Sequence, residues 1–314
     1  MTLTIGVDVG GTKIAAGVVN KNGKILKKVR KDTPHQDGDG AVQVIIELIN
    51  ELQAEYKVSG VGIGTAGFVD GSRTSVIFAP NMHWRNLSLA VIVSAQVDLP
   101  VVVENDANAA AWGEFKFGAA KGKRSAIAVT VGTGIGGGII YDGRLLRGSY
   151  GFGAEIGHMN LVPDGNLCGC GQRGCWEAHA SGNALVRYAR QHAANNPQRC
   201  AGLLELANGV AEEITGLQIT EAATNGCQGA LDCFDEISRW IGQGMANLAA
   251  IFDPEIFVLG GGVSDAGDLL LEPTQKYFHE FLTAREYRPV PNVVLASMGN
   301  QAGITGAASL ALTN

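Results

Sequence analysis

A chain of 314 residues, 46% of them hydrophobic, is long enough for two domains of ordinary size and can fill large cores. Its net charge of −6, without a long basic run, excludes nucleic-acid binding through clustered Lys and Arg. No apolar run reaches the ~18 residues of a membrane span, and Met1-Thr-Leu-Thr-Ile lacks the basic and apolar regions of a secretory signal. The expected compartment is the cytoplasm, where thiols stay reduced.

In chain order, Leu3 to Val9 reads as a buried strand, followed by a tight Gly10-Gly11-Thr12 turn and a second strand from Ile14 to Val19. Asn22-Gly23 signals a hairpin into an edge-like strand from Lys24 to Arg30. Helical spacing over Ala41 to Tyr56 puts Val44, Ile45, Leu48 and Leu52 on one face. A strand at Val58 to Ile63 ends in Gly64-Thr-Ala-Gly67, and Leu87 to Val97 reads as a helix. The strand Val101 to Val103 runs into Glu104-Asn105-Asp106 and an Ala-rich helix to Phe117. The pattern then begins again: strand Ala126 to Val131, glycine turn Gly132 to Gly138, strand Ile139 to Tyr141, and a hairpin turn at Asp142-Gly143. After the loop that ends at Glu177 the chain becomes helical, with Leu231, Phe234, Ile237, Ile241, Met245 and Leu248 forming one long apolar stripe. Strand Ile256 to Leu259 enters Gly260-Gly261-Gly262, Val293 to Ala296 is the last strand, and Ile304 to Leu312 the last helix.

Val7-Asp8-Val9-Gly10-Gly11-Thr12 and Val129-Thr130-Val131-Gly132-Thr133-Gly134 echo each other as strand and glycine turn. Each turn can aim backbone N–H groups at an anion, and two facing turns would grip a polyphosphate. Asp8 is placed to hold Mg2+ through water. Gly132-x-Gly134-x-x-Gly137 matches the dinucleotide fingerprint only formally, because a strand and not a helix follows it. The third cluster, Gly260 to Gly262, precedes an expected helix whose N-terminus would sit near negative charge. Any one cluster alone is accounted for by an ordinary tight turn; three at strand ends are not.

His158, Cys168, Cys170 and Cys175 supply one imidazole and three thiols, a full tetrahedral set for zinc. Four protein ligands leave no open position, so this zinc would be structural and would pin a loop carrying Glu155 and Glu177. A disulfide within the cluster is the alternative. Glycines 169, 171 and 174 are expected to let the backbone gather the sulfurs. Cys200, Cys227 and Cys233 lack ligand spacing and read as small apolar residues. At a strand end, Asp106 can be a helix cap or can accept the proton of an attacking hydroxyl. Asn105 can donate to and accept from a hydroxyl, and Glu155 and Glu177 can each accept from one or two, as a pyranose needs.

In Asp8-Val-Gly-Gly-Thr12, Glu104-Asn-Asp-Ala-Asn108, Gly132-Thr-Gly134, Glu155-x-x-His158, Cys168-Gly-Cys170 and Gly260-Gly-Gly262, in this order, the chain resembles the ROK-family sugar kinases. Phe78-Ala-Pro-Asn81, Asn105-Asp-Ala-Asn-Ala-Ala-Ala-Trp112 and Gly174-Cys-Trp-Glu177 are most similar to the bacterial glucokinases of that family, of the actinobacterial type. The resemblance implies the actin-like ATPase (ribonuclease H-like) fold, with two α/β domains around a cleft. It places a smaller domain at 1–108 with a C-terminal helix, 299–314, and a larger one at 109–298 with the zinc loop and dimerisation helices. It implies transfer of the ATP γ-phosphoryl group to the glucose 6-hydroxyl, with Asp106 as general base. It assigns sugar binding to Gly67, Asn81, Asn105, Asp106, Glu155, His158 and Glu177. ATP is assigned to Asp8, Gly10, Gly11, Thr12, Lys13, Gly132, Thr133, Gly134, Gly261 and Gly262. With one ring nitrogen of His158 on zinc, the other N–H would donate to a sugar hydroxyl. ATP, Mg2+ and a structural Zn2+ are the expected cofactors, and glucose, ATP and further copies of the chain, as homodimer or homotetramer, the partners.

Three rival readings share much of this pattern. One is a kinase for N-acetylglucosamine, N-acetylmannosamine, mannose or allose, since the hydroxyl-binding residues do not report the group at the sugar's second carbon. Another is a glucokinase using polyphosphate, which would favour a basic cleft that the sequence does not display. The last is a sugar-sensing regulator. The first phosphate strand starts at Leu3, which leaves no length ahead of it for a DNA-binding domain.

Overall fold

The structure is a computed structural model and describes residues 2–34 and 37–312. Met1 and residues 313 and 314, the end of the expected C-terminal segment, lie outside the described residues. By their internal contacts, Met1–Ala128, Gly137–Ala154 and Ser297–Asn314 form one compact unit, and Val129–Gly136 with Glu155–Ala296 a second.

In the first unit, β1 (Leu3–Val9), β2 (Lys13–Asn20) and β3 (Ile25–Asp32) are antiparallel neighbours. Helix α1 (Gly38–Gln53) starts three residues before the periodicity predicts, because the Asp37 carboxylate accepts the Gly40 N–H at 2.8 Å. Strand β4 (Val61–Thr65) joins β1 in parallel register, and β8 (Val101–Asn105) joins β4 the same way, giving the order β3-β2-β1-β4-β8. Alternation along β1 divides its residues by face. Ile5, Val7 and Val9 share a core with Ala41, Ile45 and Leu48 of α1. Gly6 and Asp8 face α10 (Ala302–Leu310), where a Cβ at Gly6 would lie 1.8 Å from the Ile304 carbonyl. Backbone-to-backbone packing of that kind admits only glycine.

Between β4 and β8 lies a small antiparallel sheet that periodicity does not reveal: β5 (Phe68–Val69), β6 (Val76–Ala79) and β7 (Trp84–Leu87), with a 3₁₀ turn at Pro80–Met82. Helix α2 (Leu89–Val97) starts after Ser88, so Leu87 ends a strand and does not open the helix. Helix α3 (Asp106–Phe117) packs against α10, which is why it belongs with the first unit, whereas the sequence division at 108 cuts it off.

Strands β9 (Ala126–Val131) and β10 (Ile135–Tyr141) each have residues in both units. With β11 (Arg144–Leu145), β12 (Ile256–Gly260) and β13 (Asn292–Leu295) they make a second sheet, ordered β11-β10-β9-β12-β13. Gly136 to Gly138, expected in the turn, are part of β10, and the turn shrinks to residues 132–134. Besides the loop that carries the Cys3His set, the second unit is mainly helical: α4 (Glu177–Ala180), α5 (Gly182–Asn195), α6 (Ala201–Leu206), α7 (Gly216–Thr224), α8 (Gln228–Phe252) and α9 (Asp268–Phe281). Phe234, Ile237, Ile241, Met245 and Leu248 are buried on α8, as their stripe predicts; Leu231 is half-buried. Among the described residues, no helix is long and apolar enough to cross a membrane.

Candidate active site

In the first unit, parallel register sets Asp8 beside Gly64, and Gly64 beside Glu104, so the C-terminal ends of β1, β4 and β8 present Asp8, Gly64–Gly67 and Asn105–Asp106 together. That edge of a parallel sheet is where α/β folds bind ligands. Gly64 separates the two aspartates and has no side chain to insert. Burial and then the charge of Asp106 raise Asp8 to about pKa 6, against a smaller lowering by Lys28. Burial also raises Asp106, despite backbone N–H bonds that favour its ionised form. Gly303, in the first turn of α10, lies so near that a Cβ there would reach the Asp8 carboxylate at 3.2–3.4 Å.

The cap of α3 is Asn105, not Asp106: Asn105 Oδ1 accepts from Asn108 N–H at 3.1 Å. Its Nδ2 donates to the Gly67 carbonyl at 3.2 Å, which ties two of the expected sugar residues together. Asp106, the first helical residue, accepts from Ala107 N–H at 2.8 Å through Oδ1. Gly67 has φ 107°, and a Cβ there would come within 2.3 Å of the Phe78 carbonyl, so this turn folds onto β6 and leads towards exposed Asn81. Both glycine turns of the sequence exist, but each spends its first amide on itself. Gly10 N–H donates to the Lys13 carbonyl at 3.0 Å, and Gly132 N–H to the Gly134 carbonyl at 2.9 Å. The exposed tips are Gly11, Thr12 and Lys13 in the first turn and Thr133 in the second. Thr33, which no local pattern marks, braces the first turn: its hydroxyl donates to the Gly10 carbonyl at 2.7 Å and its N–H to the Thr12 carbonyl at 3.0 Å.

In the second unit, Glu177 opens α4 and its Oε2 accepts Ile135 N–H at 2.9 Å. A Cβ on Gly134 would lie 2.0 Å from that oxygen, so the glycine makes room for a carboxylate as well as for any phosphate. Glu155 precedes a 3₁₀ turn, Ile156–His158, which leaves His158 exposed. Gly261 (φ 87°) and Gly262 are exposed, and a 3₁₀ turn, Gly262–Ala266, follows them. The helix expected there begins only at Asp268, because Gly267 (φ 62°) breaks the backbone between the two.

The donor atoms of His158, Cys168, Cys170 and Cys175 all lie within 4.8 Å of one another. The Cys170 and Cys175 sulfurs are 3.6 Å apart, and His158 Nδ1 is 3.7 Å from Cys168 Sγ. A tetrahedral ion with metal–sulfur bonds of about 2.3 Å needs sulfurs about 3.8 Å apart, so the set fits a metal; a disulfide needs about 2.05 Å. Of the loop glycines, 171 and 174 have positive φ, at 91° and 78°, and 169 does not. Nδ1 is the ring nitrogen next to Cys168 Sγ, so Nε2 is the one left for a second partner.

Residues 4–314 match the model of the ROK family. The chain belongs to the ROK family. It is 51% identical over 311 residues to the glucokinase of Streptomyces coelicolor, covering 99% of this chain and 98% of that protein. The crystal structure of a ROK family glucokinase from Streptomyces griseus, in complex with glucose and AMPPNP, is similar with a TM-score of 0.89 at 51% identity, covering 99% of this chain and 100% of that one. The ROK hexokinase of Thermus thermophilus follows at TM-score 0.80 and 34% identity, covering 99% and 98%. The fold is the actin-like ATPase fold of ROK sugar kinases.

Proposed function

We propose that this chain transfers the γ-phosphoryl group of ATP to the 6-hydroxyl of glucose, giving glucose 6-phosphate and ADP. The observation that carries the reading is Asp106: a carboxylate whose pKa burial raises, at the start of α3, beside the capping Asn105 that is anchored to Gly67. Similarity along the whole chain to the Streptomyces enzymes supports the choice of glucose and ATP. Asp106 accepts the hydroxyl proton as the oxygen attacks phosphorus. The sugar-binding groups of this reading are Gly67, Asn81, Asn105, Glu155, His158 and Glu177. The tips of the glycine turns, with Gly261 and Gly262, hold the nucleotide phosphates.

Asp8 fits a magnesium ion through water, since it is an oxygen donor crowded by a second carboxylate. When bound, the ion neutralises phosphate charge. ADP release with glucose, mannose, N-acetylglucosamine, N-acetylmannosamine and allose tests the reading. Glucose should give the highest kcat/KM; preference for another sugar would move the substrate, and turnover with polyphosphate alone would move the donor.

The metal we assign to the Cys3His set is zinc, held by four protein ligands and structural in role. Metal analysis should find one zinc per chain. Cys168→Ala should lose it and weaken glucose binding about tenfold or more, because His158 and Glu177 then lose their fixed positions. A zinc-free variant that binds glucose normally by calorimetry would show that the metal does not hold the sugar residues. A cytoplasmic location goes with this reading, because the thiols that hold the zinc must stay reduced. Assembly as a homodimer or homotetramer belongs to the same reading, and the mass of the purified protein in solution checks it.

A further inference from the structure

Glu104 is 1% exposed, and the proposed phosphoryl transfer gives it no role. It stands immediately before Asn105 at the end of β8, and its two oxygens do different things. Oε2 meets two guanidinium groups, Arg73 Nε at 3.1 Å and Arg147 Nε at 2.7 Å. Oε1 accepts Asn105 N–H at 3.0 Å and Asn108 Nδ2 at 3.2 Å. One oxygen is held by charge, and the other holds both ends of the segment that contains Asp106.

Arg147 is itself anchored through its side chain, and Arg73 through its backbone. Arg147 donates through Nη1 to the Gly71 carbonyl at 3.0 Å and through Nη2 to the Asp70 carbonyl at 2.9 Å. The Arg73 carbonyl accepts Val103 N–H at 2.9 Å, which joins its turn to β8. Asp70 locks that turn by accepting Thr74 N–H at 2.9 Å and Ser75 N–H at 2.8 Å. The cluster therefore connects three stretches distant in sequence: residues 70–75, 103–108 and 147.

Burying one charge between two half-buried ones is a poor way to gain stability, since well-packed apolar side chains of the same volume often do as well or better. What an ion cluster supplies is direction. The attraction of the two guanidinium groups sets where Oε2 of Glu104 lies, without a hydrogen bond between Oε2 and Arg147 Nε, and the other oxygen then sets the Asn105 peptide and the first turn of α3. We propose that Glu104, clamped by Arg73 and Arg147, is the positioning residue for the general base Asp106. The inference rests on the reading of Asp106 as that base. Misplacing a reacting group by about 1 Å can cost about a hundredfold in rate, so the effect falls on kcat. Asn105 keeps its own side-chain anchors, so glucose affinity changes little.

Glu104→Gln keeps the shape and removes the charge, and Arg147→Met removes one clamp while leaving Glu104 intact. Both are measured below their unfolding temperatures, beside Asp106→Asn, for kcat and for the equilibrium Kd of glucose. The expected result is a loss of kcat of about tenfold or more in each, with Kd within about threefold of the parent. The double variant should lose little beyond the worse single one, because both act through one contact. Arg147→Met carries the test if Glu104→Gln does not fold. Normal kcat in the folded variants, or a loss confined to glucose Kd, overturns the positioning role while leaving Asp106 as base. Retained turnover in Asp106→Asn overturns the base, and the positioning role falls with it.

Discussion

Asp106→Asn should lower kcat by about 10²- to 10⁴-fold, the usual worth of a general base, and leave glucose Kd within a few-fold. The substitution is close to isosteric, and the amide oxygen can still accept Ala107 N–H, the bond that Asp106 Oδ1 makes now. The helix cap is untouched because Asn105 provides it. What disappears is a carboxylate whose basicity burial has increased. The helix N-terminus favours the ionised form, yet desolvation prevails and the group is a better proton acceptor than a solvated aspartate. The same cause gives the pH profile. Asp106 must be ionised to accept a proton and Asp8 ionised to hold a cation, so kcat should fall as pH drops through about 6, where Asp8 takes up its proton. Steady-state ADP release from pH 5 to 8 checks both points; turnover in Asp106→Asn above about a tenth of the parent's would remove the residue from its role.

Much of this arrangement is legible in the sequence because its signals are local. Strands that end in glycine turns, the stripe on α8 and the spacing of the Cys3His set each depend on a few consecutive residues. What escapes depends on contacts between distant residues. Strands β5 to β7 are too short for periodicity; they are defined by their pairing, Phe68 opposite Phe78 and Phe78 opposite Arg85. Gly138 looks like turn material but lies in a strand, where a Cβ would come within 2.4 Å of Ala111 on α3. Gly134 reads as a phosphate contact, and the carboxylate of Glu177 that also demands it comes from another part of the chain. The exchange of roles between Asn105 and Asp106 could not be read either, since both residue types make good caps and only side-chain geometry separates them. Glu104 was visible within its motif, but its meaning required Arg73 and Arg147, brought in from two other segments.

Asp8→Asn should make the protein more stable and nearly inactive. In the folded chain Asp8 titrates at about 6, against 3.8 for a free aspartate, because it is buried and then because it faces Asp106. The folded state therefore binds the extra proton more readily than the unfolded one between these values. Stability falls as pH rises through that window, and above about 6 the ionised carboxylate costs at most about 3 kcal/mol, less where solvent screens it. A neutral amide avoids that cost. In magnesium-free buffer at pH 7.5 the variant should melt a few degrees above the parent, and near pH 4, where Asp8 is largely protonated when folded, the difference should shrink. Magnesium with nucleotide should then stabilise the parent more than the variant, because a cation binds only the ionised form strongly. The kcat of Asp8→Asn should fall about 10²- to 10³-fold, the scale of losing one electrostatic group at a reacting centre. Calorimetry at the two pH values, with and without magnesium and nucleotide, separates this account from simple loss of a structural contact. A variant that melts below the parent at pH 7.5 would mean that Asp8 contributes stability through bonds its carboxylate makes, and that the two aspartates are not held against each other for the sake of a cation.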